Sequence, residues 1–291
     1  WFVSPNLAPV VQTGHDVPMT EHNLQPQTFM LRSAGQAVHV RQIGGGAGLP
    51  LLLVHGFGGS VSNWQLTQQA QATNRRVIAF DLPGHGQSSA LEEAPTLARL
   101  TQVTEHVLAC MGVQQAHVLG HSLGGGIALS LCGLNPARVA SLSLLAPAGL
   151  GRYVNMAFIT GFVEAHTVAD MAAAMGMAVY DPRLIGRKVA EFLVQSRAAP
   201  GAREALRAIA GACFPNAEQA NDLRPLLQNL PCPAQMIWGA DDRVLPVTQA
   251  QGLPEQLPCH VLPRTGHLPH IERAGEVNAM VRAFLQACDH A

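Results

Sequence analysis

The chain has 291 residues, of which 48% are apolar and 13% charged, and its formal net charge is −1. That length can bury a large core as one α/β domain with an insertion, while the near-neutral balance gives no electrostatic reason to expect nucleic acid or an anionic membrane as partner. No apolar run approaches the ~20 residues needed to span a bilayer.

Residues 1–25 hold Pro5, Pro9 and Pro18 without a clear period, which predicts an irregular N-terminal arm. The opening Trp1-Phe2-Val3 has no charged segment followed by a long apolar stretch, so no intact signal peptide is expected. The six cysteines, Cys110, Cys132, Cys213, Cys232, Cys259 and Cys288, form no Cys-x-x-Cys pair, and several lie inside apolar patterns. Free cysteine behaves there as a small hydrophobe. Reduced thiols and a cytoplasmic location are expected, with a secreted or periplasmic origin as the alternative that an even count permits.

Strands are predicted near 27–33 and 37–42, joined as a hairpin through Ala34-Gly35-Gln36. Gly44-Gly45-Gly46 reads as a turn, since no Lys and Ser/Thr follow at the spacing of a phosphate loop. The apolar run Leu51-Leu52-Leu53-Val54 is a strand, and His55-Gly56-Phe57-Gly58-Gly59 follows it. A glycine-rich loop lets backbone N–H groups approach a reacting oxygen closely. Phe57 N–H is taken as one such donor; the alternative is a plain turn. A helix near 63–72, a strand near 76–80 and a helix near 97–111 come next.

The strand at 116–119 runs into Gly120-His121-Ser122-Leu123-Gly124, and a helix rich in Ala and Leu spans 122–134. A serine on a sharp strand-to-helix turn is lifted out of the sheet, and Leu123 N–H at the helix start is the second candidate oxyanion donor. The alternative is an ordinary turn whose serine caps the helix. The strand at 141–145 ends Leu144-Leu145-Ala146-Pro147, with no carboxylate. Residues 150–230 interrupt the strand pattern with helices near 157–164, 168–177, 184–195 and 203–212, and read as a cap. His121, Met156, Phe158, Phe162, Met171, Met175, Met177 and Phe192 are candidates to line an apolar pocket, or simply to pack the cap on the core.

A strand at 234–238 precedes Gly239-Ala240-Asp241-Asp242-Arg243-Val244-Leu245-Pro246. A carboxylate at a strand end can orient a histidine and stabilise its charged form. The spacing Gly-x-x-Asp-x-x-x-Pro selects Asp242, with Asp241 as rival. After a helix near 248–253 and a strand at 259–262, Gly266-His267 offers a general base, and Glu272 five residues on favours His267 over His270. A terminal helix covers 275–287. The core is thus 26–149 with 231–291, and the cap 150–230.

The order Ser122, Asp242, His267 resembles the nucleophile–acid–histidine order of the α/β-hydrolase family, over about residues 29–287. The resemblance implies an eight-stranded, mostly parallel sheet flanked by helices, with a helical cap inserted after the sixth strand. Phe80-Asp81-Leu82-Pro83-Gly84-His85-Gly86-Gln87-Ser88 is also similar to the family, where this loop is chiefly structural, so Asp81 and His85 are expected to be scaffolding. Leu145 to Gly151, Phe158 to Val163, Ala205-Leu206-Arg207 and Cys213-Phe214-Pro215 resemble, more narrowly, the hydrolase-fold domain of acetoin dehydrogenase dihydrolipoamide acetyltransferase subunits. Those proteins carry a lipoyl domain ahead of this region; the thirty or so residues before the first expected strand are too few for one.

The resulting expectation is a serine hydrolase that cleaves small-molecule carboxylic esters or thioesters through an acyl-enzyme on Ser122. It needs no cofactor and no metal. The alternatives are an acyltransferase to a thiol such as dihydrolipoamide, a carbon–carbon bond hydrolase, and a silent binding module on the same fold. Carbon–carbon hydrolases favour Asn where this chain has His121, and need a cap arginine, for which Arg187 is the candidate. A serine at the elbow disfavours dehalogenase or epoxide-hydrolase action, where relatives use aspartate. Oligomeric state is left open.

Overall fold

Runs such as Leu51 to Val54 are apolar on both sides of a strand, so they need cover on both faces of a sheet. The computed structural model, which describes residues 11–12, 25–33 and 35–290, supplies that cover. Its strands are β1 (Val11–Gln12), β2 (Gln27–Ser33), β3 (Gln36–Ile43), β4 (Gly48–Val54), β5 (Arg75–Phe80), β6 (Ala116–His121), β7 (Val139–Leu145), β8 (Ala234–Gly239) and β9 (Cys259–Leu262). They form one sheet in the order β1-β2-β3-β5-β4-β6-β7-β8-β9. The β2–β3 and β3–β5 pairs are antiparallel, and the rest are parallel.

The eight expected strands are β2 to β9. The two-residue β1 falls within the arm expected to be irregular, pairing parallel to β2. The rest of that arm before Gln25 lies outside the described residues.

One face of the sheet packs against α2 (Leu97–Cys110) and α3 (Leu123–Leu134), through residues such as Leu100, Val107, Ile127 and Leu131. The other packs against α10 (Ala274–Asp289) and the turn holding Trp64, just before α1 (Gln65–Gln71), through Leu53, Leu119, Val277 and Val281. Between β7 and β8 lie α4 (Met156–Glu164), α5 (Val168–Gly176), α6 (Arg187–Gln195), α7 (Ala202–Cys213) and α8 (Arg224–Leu227). A short α9 (Pro269–Glu272) precedes α10. No helix among the described residues is long and apolar enough to cross a membrane.

Two helices differ from expectation. The segment near 248–253 forms only a 3₁₀ turn, Val247–Ala250, because Pro246 opens it and Gly252, with φ of 69°, stops it. The cap helix expected from 184 begins at Arg187, after a separate 3₁₀ turn, Pro182–Leu184.

Candidate active site

Parallel β4, β6, β8 and β9 all end at one edge of the sheet, and the loops after them carry the chemistry-bearing side chains. Ligands of open α/β sheets bind at that edge. Ser122 sits between β6 and α3 with φ 53° and ψ −119°, a strained conformation for a residue with a Cβ. Its side chain does not cap α3, which removes the capping alternative. Its backbone is pinned instead: Ser122 N–H donates to Leu145 O at 2.9 Å, and Ser122 O accepts from Gly126 and Ala148 N–H. The flanking glycines are steric necessities. A Cβ at Gly120 would overlap the Gly124 carbonyl oxygen, and one at Gly124 would overlap that of Val54.

His267 Nδ1 and Asp242 Oδ2 are 2.8 Å apart, and both side chains are almost fully buried. Asp242 accepts three more bonds, from Trp238 Nε1–H at 3.1 Å and from Val244 and Leu245 N–H at 2.8 and 3.0 Å. Asp241 is exposed, and only its backbone is engaged, at Thr265 O. His267 N–H donates to Ala178 O at 2.7 Å. Glu272 braces the same loop: Oε1 accepts from Gly266 and Leu268 N–H, on either side of His267, and Oε2 from Tyr180 N–H. His270 contacts neither Asp242 nor Ser122 by a hydrogen bond. It is buried, and neither ring nitrogen has a partner among the described residues.

The loop after β4 is fixed by two neutral histidines. His55 Nδ1–H donates to Gly56 O, and its Nε2 accepts from Leu82 N–H. His85 Nε2 accepts from Gly58 N–H at 3.0 Å, and Nδ1–H donates to Pro83 O. Burial pushes the His55 value down and takes His85 to about 3, with the neighbouring His55 imidazole adding to the second shift. Asp81 holds the facing loop through His39 Nδ1 and the Val61 and Gln87 amides. Phe57 N–H and Leu123 N–H have no acceptor among the described residues. Leu123 is the first residue of α3, where an amide has no intrahelical partner.

Ser122, His267 and Phe57 line one cavity of about 50 Å³. Of the sequence-predicted pocket residues, His121, Phe158, Phe162 and Met175 line it. Met171 is fully buried and Met156 and Met177 partly so; all three pack into the core without reaching the cavity. Phe192 is 48% exposed, and its neighbour Leu193 lines the cavity instead. One residue is about 100° of helical turn, so both cannot face inward. Phe214, Ile159 and Leu245 also line the cavity; Phe214 lies in the Cys213-Phe214-Pro215 segment noted above, but which apolar side chains turn toward Ser122 is set by packing and not by sequence. No lining residue is Arg or Lys. Arg187 is exposed and pairs with Glu191 one turn on, so it is not a pocket cation.

The sequence pattern of the alpha/beta hydrolase fold matches residues 50–274. The chain is 39% identical, over 252 residues, to the dihydrolipoyllysine-residue acetyltransferase component of the acetoin cleaving system of Pseudomonas putida, covering 87% of this chain and 67% of that protein. It is 30% identical to a 2-hydroxymuconate semialdehyde hydrolase of Pseudomonas sp. (strain CF600), covering 84% and 90% of the two. Among solved structures, a meta-cleavage product hydrolase from Pseudomonas fluorescens IP01 superposes with a TM-score of 0.80 at 24% identity, covering 89% of this chain and 97% of that one.

Proposed function

The chain belongs to the α/β-hydrolase family, and from that membership we propose that it is a serine enzyme that cleaves short carboxylic esters or thioesters through an acyl group carried on Ser122. The observation that carries this reading is the buried 2.8 Å His267–Asp242 pair opening onto the same cavity as a serine held at a strained elbow.

In the mechanism, Ser122 Oγ attacks the substrate carbonyl carbon while His267 Nε2 takes its proton. Asp242 holds Nδ1–H, which fixes the tautomer and steadies the imidazolium. The carbonyl oxygen becomes an oxyanion facing Phe57 and Leu123 N–H; donors of this kind are each worth about 2.7–4 kcal/mol. Collapse expels the alkoxide or thiolate, which takes the proton from His267. Water, deprotonated by His267, then attacks the acyl-enzyme and releases the carboxylic acid and Ser122.

The cavity supports a small acyl group. One water occupies about 10–15 Å³ on the same measure, so some 50 Å³ admits only a few heavy atoms. Residues 150–230 act as the cap, with Phe158, Phe162 and Met175 closing over Ser122 and excluding water. The lack of a cation in the lining weighs against an anionic carbon–carbon substrate. A second reading, transfer of the acyl group to a thiol acceptor in place of water, is favoured by the 39% identity to the acetoin-system component.

The test is incubation with p-nitrophenyl acetate, with and without dihydrolipoamide. A mass gain of one acetyl group on wild type and none on Ser122→Ala supports the reading; equal turnover by both proteins refutes it. Faster release with dihydrolipoamide, with acetylated dihydrolipoamide as product, selects the second reading.

A further inference from the structure

Resting on the proposal that Ser122 carries the acyl group, we infer that His121 is a positioning residue that clamps the nucleophile elbow to the loop of the general base. It acts through His267, not on substrate.

His121 is the last residue of β6, adjacent to Ser122, and is 5% exposed. Its Nε2–H donates to the main-chain carbonyl of His267 at 2.7 Å, across 146 residues of chain. Nδ1 faces the loop after β4: a Cβ on Gly56 would lie 2.8 Å from it and 3.0 Å from Ser122 Cβ. One imidazole thus touches the elbow, the oxyanion loop and the base loop.

The ring is also held from behind. Trp64, His270, His121 and His267 form a row, with centroid separations of 4.6, 4.6 and 4.8 Å. The row runs from the buried core at Trp64 to the cavity. His270, whose ring nitrogens bond to nothing among the described residues, serves as a neutral spacer.

With His121 in place, the backbone of His267 is fastened at both ends: N–H to Ala178 O and C=O to His121. Asp242 fixes Nδ1. Without the clamp, the His267 carbonyl is a buried acceptor lacking a partner, and the peptide can tilt to find one. Such tilting moves Nε2 relative to Ser122 Oγ, and a 1 Å error in a reacting geometry costs about 10²-fold in rate.

The experiment compares His121→Phe, which keeps a ring but has no donor, with His121→Gln, whose amide N–H can reach where Nε2–H stood. Hydrolysis of p-nitrophenyl acetate is measured on variants shown to be folded by thermal melting. The expected result is a fall in kcat of about 10- to 100-fold for His121→Phe with KM nearly constant, and recovery of most of that loss in His121→Gln. Equal activity in the two variants, whether high or low, overturns the inference, because packing alone would then account for it. Long-range ¹H–¹⁵N NMR of the unaltered protein gives an independent reading. The His121 ring must be protonated at Nε2; a proton at Nδ1 overturns the clamp even if neither variant folds. Failure of wild type to take up the acetyl group sinks the underlying function and this inference with it.

Discussion

The indole N–H of Trp238 donates to Asp242 Oδ2 at 3.1 Å, the same oxygen that faces His267 Nδ1 at 2.8 Å. The indole N–H is shared with Leu245 O at 2.9 Å, so Trp238, the next-to-last residue of β8, ties that oxygen to the loop four residues on. Asp242→Asn presents either an N–H or a carbonyl to His267 and destroys the tautomer choice, so kcat should fall about 10⁴-fold with little change in KM. Trp238→Phe leaves the carboxylate but frees one oxygen site. A smaller loss of kcat is expected there, with about 1–3 kcal/mol less stability in urea titration.

Gly58 has φ of 72°, and the edge of the Phe162 ring occupies the space where its Cβ would go. Gly58→Ala therefore combines backbone strain with displacement of the ring. Because Gly58 N–H is also tied to His85, the shift passes to the neighbouring Phe57 amide. A fall in kcat of about 10²-fold is expected, the size of losing one oxyanion donor. Steady-state kinetics on p-nitrophenyl acetate checks this; unchanged kcat would show that Phe57 N–H is not used.

Phe162 packs against the loop after β4 at Phe57 and Gly58, and the Arg197 guanidinium sits 4.6 Å from its ring and bonds to its carbonyl. Phe162→Leu opens space above Ser122 while retaining an apolar lining. The ratio of kcat/KM for butanoate over acetate esters should rise by about tenfold, the value of one or two methylenes in an apolar pocket. A fixed chain-length profile would place the acyl group elsewhere.

His85 and His270 are each held to about 3, against an ordinary 6.5, chiefly by burial and secondly by the neighbouring imidazoles of His55 and His267 respectively. Their folded values lie below the unfolded ones, so folding favours the neutral rings. Between about pH 3 and 6.5 the unfolded chain binds more protons. Stability is then complete above pH 6.5 and falls with acid, by up to about 1.4 kcal/mol per pH unit for each ring. Urea midpoints taken from about pH 8 down to pH 4.5 should be flat and then drop, less steeply in His270→Phe than in wild type.

The strands were legible because runs such as Leu51 to Val54 and Met236 to Trp238 are apolar without a break, and because glycine or proline follows each. The loops that hold Ser122, Asp242 and His267 could be located for the same reason. What escaped was anything depending on side-chain direction or long separation. Phe192 and Leu193 are equally apolar, and only the packing of α6 decides which turns inward. The bond from His121 to the His267 carbonyl joins a side chain to main chain 146 residues away in sequence and leaves no pattern. The 3₁₀ turn at Val247–Ala250 shows the opposite case, since Pro246, Gly252 and Pro254 were visible breakers of the helix expected there.

The elbow at Ser122 carries one more implication. Positive φ with ψ of −119° is a posture that glycine adopts freely and serine does not. Strain of this kind costs about 1–3 kcal/mol, more than glycine's extra chain entropy of about 0.5–1 kcal/mol. Ser122→Gly should therefore melt at a higher temperature than the native protein while turning over nothing. Natural selection would then have kept the less durable of two folded molecules, because only that one presents its hydroxyl.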